Sequence, residues 1–465
     1  MSAHSSKFES YITQNEFLNI SGDSALSPDS TLIYFIPGNP GLLGYYQLFL
    51  SLLSSNLTSE QDSTSDVLEP TRVDSRTYPP PPLASDYNIR TETKRKRENN
   101  ENNEQGEDRP SHASHNEFNF VVRGRSLGGF EVPEAKDATS IGEKTRAKRR
   151  KTGEKTAKKQ LYDLNEEIAF MERDFETFAQ DWREAVQEKH GMQQKPRARV
   201  IMIGHSVGTY ITMEIMRRRR EKIKIGDKMH FDTRPSSHES EVDGEWTEED
   251  DRRLYNYDDG IDVIGGIMLF PTVVDIAKSP SGRILTMLQN IPYLPLTASL
   301  LARILVSILP HSVLSRVVSC VMKSPRKEAV DVTIAMLRNP SIIRQALHLA
   351  EDEMRNIGAD KWTDEIWGLR GTSEVSNQQS NRLAKLIFYF GRDDHWVAEQ
   401  TREEIIRSRK PKTTPDGLRG HGPMMMVCDD GIMHGFCIGH NELMAKKTGR
   451  FIRNILKANS DRDTI

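Results

Sequence analysis

The sequence lacks the features that mark several common classes of protein. Its 465 residues include three cysteines, Cys320, Cys428 and Cys437, which are too few and odd in number for a disulfide framework. This scarcity indicates a reducing compartment. The N-terminus has no apolar segment of the kind found in a secretory signal. The sequence contains no run of 18 uncharged apolar residues, so we predict no membrane span.

Motifs for cofactors, metals and nucleic acids are also missing. There is no GxGxxG fingerprint and no P-loop lysine, no cysteine pair has zinc-ligand spacing, and the formal net charge is only -3. We therefore predict no cofactor, no metal and no nucleic-acid partner. Basic clusters at 94–97 and 143–159 are compatible with a nuclear or anionic-surface role, but a solvated insertion is the preferred interpretation.

Polar segments interrupt an apolar core. Residues 56–116, 131–160 and 226–260 hold too little apolar area to offset the entropy of ordering them, so we expect disordered insertions. The predicted layout is core (1–55), insertion (56–116), core (117–130), basic insertion (131–160), core (161–225), acidic insertion (226–260), core (261–282), apolar helical cap or membrane-associating region (283–348) and C-terminal core (349–465).

Strand-like and helix-like segments alternate along the core. Short apolar runs at 32–36, 118–122, 199–203, 261–270 and 386–390 are typical of buried strands, and helical spacing follows most of them. This alternation predicts an α/β fold with a mostly parallel sheet flanked by helices.

The pentapeptide Gly204-His205-Ser206-Val207-Gly208 lies between an apolar strand and a predicted helix. A GxSxG match alone is weak, but this context is typical of a nucleophile elbow, in which small glycines permit a sharp turn that exposes the serine hydroxyl. Ser206 is thus the candidate nucleophile. An ordinary capped turn between strand and helix is the alternative.

A serine nucleophile needs a general base and an orienting carboxylate, which in this fold follow it in the order acid, histidine. Asp394 follows the 386–390 strand and a glycine turn, and Asp393 is the reserve. His434 follows another strand-like run at 424–428, with His440 as its competitor.

Two backbone N–H groups are candidates for stabilising a developing oxyanion. One is that of Val207, at the start of the helix. The other is that of Asn39, in the turn Pro37-Gly38-Asn39-Pro40-Gly41 after the early strand, where Pro40 has no N–H to give. A simple proline-glycine turn is the rival interpretation.

Several motifs together resemble the lipid droplet-associated hydrolase family of α/β-hydrolases. They are Ile36-Pro37-Gly38-Asn39-Pro40-Gly41 with Tyr45-Tyr46, the GHSVG pentapeptide at 204–208, Leu269-Phe270-Pro271-Thr272 with Ser279-Pro280-Ser281-Gly282, Asp394-His395-Trp396 and His434-Gly435-Phe436-Cys437. The resemblance spans Leu32 to about Ile455 outside the insertions. It implies a serine ester hydrolase with Ser206, Asp394 and His434 as catalytic residues, and residence on lipid droplets. The large insertions, and the sequence RGRSLGGF at 123–130 in place of a histidine-bearing loop, depart from the family pattern.

An apolar segment at 291–322 suggests how a lipid could be reached. Pro295 and Pro310 divide it into pieces shorter than a bilayer span, so helices lying in a lipid interface are expected, with a buried cap as the alternative. The segment alone does not decide between these two, and the family resemblance favours the lipid surface. The resemblance thus implies hydrolysis of a sterol ester or acylglycerol in lipid storage, at the cytoplasmic side of lipid droplets or at the endoplasmic reticulum. The rival hypothesis is a weakly catalytic or non-catalytic protein that organises droplets.

Overall fold

A computed structural model describes nine stretches of the chain. They are residues 8–21, 25–58, 119–132, 161–232, 259–291, 293–323, 325–369, 383–410 and 422–463. The three predicted insertions fall almost wholly outside these stretches.

Eight strands form a single sheet. They are β1 (Tyr11–Ile12), β2 (Glu16–Ile20), β3 (Thr31–Ile36), β4 (Phe120–Arg125), β5 (Ala198–His205), β6 (Ile261–Leu269), β7 (Lys385–Gly391) and β8 (Met424–Cys428). Their order is β1-β2-β4-β3-β5-β6-β7-β8. Strands β3 to β8 pair in parallel, while β1 and β2 pair antiparallel at one edge. The predicted mostly parallel sheet is confirmed, although the sequence analysis did not predict β1 and β2.

Ten α-helices accompany the sheet in the described stretches. They are α1 (Gln47–Thr58), α2 (Leu164–His190), α3 (Val207–Asp232), α4 (Pro280–Gln289), α5 (Leu294–Ile308), α6 (His311–Val321), α7 (Lys327–Arg338), α8 (Pro340–Asn356), α9 (Glu399–Ser408) and α10 (Asn441–Asp463). Helix α3 continues well past Arg220, so residues 226–232, assigned above to an insertion, are helical. No described helix is both long and apolar enough to cross a membrane.

Alternating side chains of the sheet build two separate cores. In β3, Leu32, Tyr34 and Ile36 pack with α2, α3 and α8 on one face, while Ile33 and Phe35 pack with α1 and α10 on the other. Successive residues of a strand point to opposite faces, so a continuous apolar run fills both layers. Helices on both faces leave the carboxyl ends of the parallel strands as the edge where loops can gather.

Candidate active site

Ser206 occupies the single residue between β5 and α3. Its φ of 52° lies in the left-handed region, which is strained for a residue that carries a Cβ. Its backbone N–H donates to the Leu269 carbonyl at 3.1 Å, and its own carbonyl accepts from the Thr209 N–H at 2.9 Å. Hydrogen bonds on both sides therefore hold the strained turn.

The two glycines of the pentapeptide are required by close backbone contacts. A Cβ on Gly204 would lie 2.7 Å from Thr209 Cα, and one on Gly208 would lie 2.7 Å from the Pro37 carbonyl oxygen. Real Cβ atoms do not approach other atoms so closely, so glycine alone lets α3 begin this near to β3. The sequence pattern thus has the steric cause expected for a nucleophile elbow.

The histidine and carboxylate predicted from the sequence meet at Ser206. His434 Nε2 lies 2.8 Å from Ser206 Oγ, and His434 Nδ1 lies 2.8 Å from Asp394 Oδ2. A carboxylate oxygen can only accept, so the ring proton sits on Nδ1 and leaves Nε2 free to accept from the serine hydroxyl. Such a chain can draw a proton from the hydroxyl during attack on a carbonyl.

Asp394 is fixed by its own surroundings. Its side chain is almost completely buried beside His434, and its second oxygen, Oδ1, accepts from the Trp396 backbone N–H at 2.8 Å. Asp393, the reserve candidate, is exposed to solvent. His440, the competitor of His434, lies immediately before α10. The geometry brings Asp394 and His434 to the serine, and neither alternative residue has a hydrogen bond to Ser206 among the described residues.

Both predicted oxyanion donors have free N–H groups. Neither the Asn39 nor the Val207 backbone N–H donates a hydrogen bond within the described stretches of the chain. The loop that carries Asn39 is pressed against the serine, because a Cβ on Gly38 would lie 2.8 Å from Ser206 Cβ. Free donors beside the nucleophile suit stabilisation of negative charge on a substrate oxygen.

Comparisons with known proteins decide the family. The sequence profile of the family described as lipid-droplet associated hydrolase matches residues 29–437, which is most of the chain. The chain belongs to this family.

Curated relatives agree with this assignment. The lipid droplet-associated hydrolase of Gallus gallus is 23% identical over 56% of this chain and 60% of its own length. That of Mus musculus is 24% identical over 55% of this chain and 58% of its own length. The chain therefore spans about three-fifths of the curated relatives it matches. Among solved structures, a peroxisomal alpha-beta-hydrolase of Saccharomyces cerevisiae aligns over 95% of this chain and 82% of its own, with 10% identity and a TM-score of 0.41.

In this family member the side chain of Asn39 is tied to helix α8. Asn39 Nδ2 donates to the Ala346 carbonyl at 3.0 Å and to Glu353 Oε1 at 2.9 Å, both on α8. Burial raises the pKa of Glu353 to about 8, while the Asn39 hydrogen bond opposes that rise. Glu353 is therefore a neutral carboxyl at pH 7 that anchors the loop carrying the Asn39 N–H.

His205, the second residue of the pentapeptide, is completely buried and makes two hydrogen bonds. Its Nδ1 lies 2.7 Å from the Tyr46 hydroxyl, and its Nε2 lies 2.8 Å from the His434 carbonyl oxygen. Burial, with a smaller contribution from the neighbouring His434, lowers the pKa of His205 to about 3. His205 is thus neutral at physiological pH, and the sequence analysis assigned it to the elbow without finding these bonds.

Proposed function

We propose that this protein is a serine ester hydrolase of the lipase or esterase type, with Ser206 as its nucleophile. The observation that carries the proposal is the pair of 2.8 Å contacts from Ser206 Oγ through His434 to Asp394. No other arrangement of side chains in the described residues joins a serine, a histidine and a carboxylate in this order. The free donors of Asn39 and Val207 complete what acyl transfer requires.

The reaction proceeds in two half-steps. Ser206 Oγ attacks the ester carbonyl while His434 Nε2 takes the hydroxyl proton, and Asn39 and Val207 N–H groups stabilise the oxyanion. The intermediate collapses to an acyl-serine as His434 returns the proton to the departing alcohol. A water molecule then attacks the acyl group by the same route and releases a carboxylic acid.

The proposed substrate is a lipid ester, either a sterol ester or an acylglycerol, in keeping with the names of the relatives. The supporting feature is an exposed apolar face on α4 to α6. Isolated exposed apolar residues are common in proteins, whereas many of them on three consecutive helices favour an interaction surface. The face consists of Ile284, Met287, Leu288, Ile291, Tyr293, Leu296, Leu300, Leu301, Ile304, Ile308, Val313, Val317 and Val321.

The exposed apolar residues of α5 lie along one side of the helix. Leu296, Leu300, Ile304 and Ile308 recur every four residues and are all exposed, so they form one stripe along the helix. On α6, by contrast, Leu314 and Val318 are buried with residues of α7 in a small core of their own. The helices therefore pack by one side and present the other, as interfacial helices do.

The charges around the exposed apolar face fit a phospholipid-coated surface. From Ile276 through Lys327 the sequence has seven Lys or Arg residues and no Asp or Glu. Arg283, Arg303 and Arg316 are exposed, and none of the three forms an ion pair with a residue that the structure describes. Basic side chains beside an apolar face favour contact with phosphate headgroups.

This face starts beside the candidate active site. The Ser281 N–H, in the first turn of α4, donates to the His395 carbonyl at 2.9 Å, and His395 directly follows Asp394. This hydrogen bond holds the first turn of α4 next to the loop that carries Asp394. The proposed place of action is the surface of a lipid droplet on its cytoplasmic side, or the endoplasmic reticulum.

The function is tested by mapping the reactive serine. The purified protein, incubated with emulsified triacylglycerol or sterol ester, is expected to release fatty acid. A fluorophosphonate should stop that release in proportion to the fraction of protein labelled, and peptide mass spectrometry should find the label on Ser206. A label on another residue, or fatty-acid release that persists after complete labelling, would contradict the proposal.

The exposed apolar face also supports a second candidate function, a weakly catalytic or non-catalytic organiser of droplets, because the face does not depend on the serine. The two functions differ in one observable. An organiser would cluster or enlarge lipid emulsions without releasing fatty acid, and the phosphonate would not change that effect.

The lipid-binding role of the face gives a separate prediction. Leu301→Gln with Ile308→Gln should lower the partition constant onto a phospholipid-coated emulsion by roughly 100-fold, since each side chain contributes about 1–2 kcal/mol when buried in lipid. Co-flotation with the emulsion measures this partition. The matched control is Ile12→Gln with Leu443→Gln, two exposed apolar residues outside the face. Equal partition of the two double variants would show that the face does not bind lipid.

A further inference from the structure

A continuous chain of three hydrogen bonds, two of them buried and one partly buried, links the loop of Gly38 to the loop of His434. The Gly38 backbone N–H donates to the Tyr46 hydroxyl oxygen at 3.2 Å. The Tyr46 hydroxyl lies 2.7 Å from His205 Nδ1, and His205 Nε2 lies 2.8 Å from the His434 carbonyl oxygen. The two ends of the chain are thus the loop that carries one oxyanion donor and the loop that carries the candidate base.

The direction of every bond in this chain follows from its ends. A backbone N–H can only donate and a backbone carbonyl can only accept. Nε2 of His205 must therefore carry the ring proton, Nδ1 must accept, and the Tyr46 O–H must donate to it while its oxygen accepts from Gly38. One tautomer of a neutral imidazole satisfies all three bonds.

The surroundings keep both linking groups uncharged. Burial holds the pKa of the Tyr46 hydroxyl well above its usual value. Two other titratable groups bear on this hydroxyl, Cys437 and Tyr45, and burial raises the pKa of each to about 12. Phe436 stands edge-on to His205 at 5.0 Å between ring centroids, and Phe270 does so at 6.1 Å. This apolar enclosure makes an unpaired polar atom costly and so favours the complete chain.

We propose that Tyr46 and His205 are positioning residues that hold the Gly38–Asn39 loop and the His434 loop in register with each other across Ser206. Neither residue touches the reacting atoms, and both act through the backbone groups that they bind. The Gly38 N–H donates to the Tyr46 hydroxyl, so the next N–H, that of Asn39, remains available to an oxyanion. The inference rests on the proposed hydrolase function and adds two residues that set its geometry.

Register between a base and an oxyanion donor affects the transition state more than the ground state. Tyr46→Phe removes one hydroxyl and leaves two buried polar atoms without partners, so kcat for a soluble short-chain ester should fall roughly 10-fold to 100-fold with KM changed less than twofold. Affinity for a trifluoromethyl ketone, which forms a tetrahedral oxyanion adduct with a reactive serine, should fall by a similar factor.

The neighbouring tyrosine provides a matched control. Tyr45 is also largely buried, but its hydroxyl forms a hydrogen bond with Thr333 Oγ1 at 2.8 Å. It is therefore not part of the series of hydrogen bonds through Tyr46 and His205. Tyr45→Phe loses a hydroxyl of the same kind, so it should leave kcat and ketone affinity within about twofold of wild type. If Tyr45→Phe and Tyr46→Phe lowered kcat and ketone affinity equally, the inference would be overturned. Both hydroxyls would then act only by stabilising the fold.

Variants of His205 test the link from the other side. His205→Gln can keep one amide donor toward His434 and one amide oxygen toward Tyr46, whereas His205→Phe keeps neither. We expect kcat to decrease from wild type to His205→Gln and further to His205→Phe. Tyr46 and His205 belong to the same series of hydrogen bonds. Adding Tyr46→Phe to His205→Phe should therefore lower kcat by less than a further threefold. Full additivity of the two losses would contradict the proposal.

The outcome also separates this inference from the proposed function. If the wild type binds no phosphonate at Ser206, the hydrolase function fails and the positioning role fails with it. If the wild type is labelled and Tyr46→Phe is labelled at the same rate, only the positioning role is overturned.

Discussion

Ser206→Ala is expected to lower kcat for ester hydrolysis by about 10⁴-fold to 10⁶-fold and to abolish phosphonate labelling, while the protein stays folded. The loss is this large because the hydroxyl is the only atom that can form the acyl intermediate, and His434 and Asp394 have no function in catalysis without it. Alanine keeps the Cβ and therefore the same strain at a φ of 52°, so the thermal midpoint should change little.

The control for this substitution is Ser55→Ala, at an exposed position of α1. It removes a serine hydroxyl far along the chain from the elbow and should retain full activity and full labelling. The measurements are kcat on a soluble ester, the labelled fraction and the thermal midpoint of each variant. Activity of Ser206→Ala within tenfold of wild type would assign the nucleophile to another residue.

Asp394→Asn is expected to lower kcat by about 10⁴-fold. An amide at this position can present an N–H to His434 Nδ1, which favours the tautomer with its proton on Nε2, and that tautomer cannot accept from Ser206. It also removes the negative charge that stabilises the imidazolium formed during attack. The substrate is held by other groups, so KM should change much less than kcat.

Asp393→Asn tests the alternative acid with the same chemical change one residue away. Asp393 is exposed, so its loss of charge should leave kcat within about twofold of wild type. A pH–rate profile of both variants checks the assignment, because only the true acid should shift the limb that reports the catalytic histidine. If Asp393→Asn were the damaging change, the chain of hydrogen bonds described for Asp394 would not be the catalytic one.

Local patterns in the sequence predicted the parts of the site that depend on local backbone geometry. Gly204 and Gly208 mark a turn whose tightness is set by neighbouring backbone, so the elbow at Ser206 could be read from five residues. The apolar runs of β3 and β5 likewise predicted buried parallel strands. The edge strands β1 and β2 are short and only partly apolar, and their pairing to β4 is a long-range contact that no local pattern announces.

Contacts between distant segments decided what the sequence left open. Asp393 and Asp394 are chemically identical neighbours. The sequence favoured Asp394, and its burial and its contact with His434, forty residues later, are the structural features that distinguish the two. Tyr46 and His205 carried no local signal of their roles, because each is a buried polar residue whose partners come from other loops. The rule that buried polar groups need partners could have drawn attention to Tyr46, but it could not have named His205.

Two buried residues, His205 and Glu353, change the number of protons that the folded protein binds. The pKa of His205 is lowered to about 3 and that of Glu353 is raised to about 8, against about 6.5 and 4.3 in an unfolded chain. Between about pH 4.5 and 6.5 the unfolded chain binds one proton at these sites, on the histidine, and the folded protein also binds one, on the glutamate. Their joint contribution to the free energy of unfolding is therefore independent of pH in this interval.

Outside that interval the two states differ by one proton. Below about pH 4.5 the unfolded chain binds two protons at these sites, whereas the folded protein binds one because buried His205 stays neutral. The free energy of unfolding therefore falls as the solution becomes more acidic. Above about pH 6.5 the folded protein keeps a proton that the unfolded chain has released, so stability falls again until Glu353 ionises near pH 8. Each slope is at most about 1.4 kcal/mol per pH unit. Two groups that fix loops beside the nucleophile thus make a joint contribution to stability that is greatest, and flat, at weakly acidic pH.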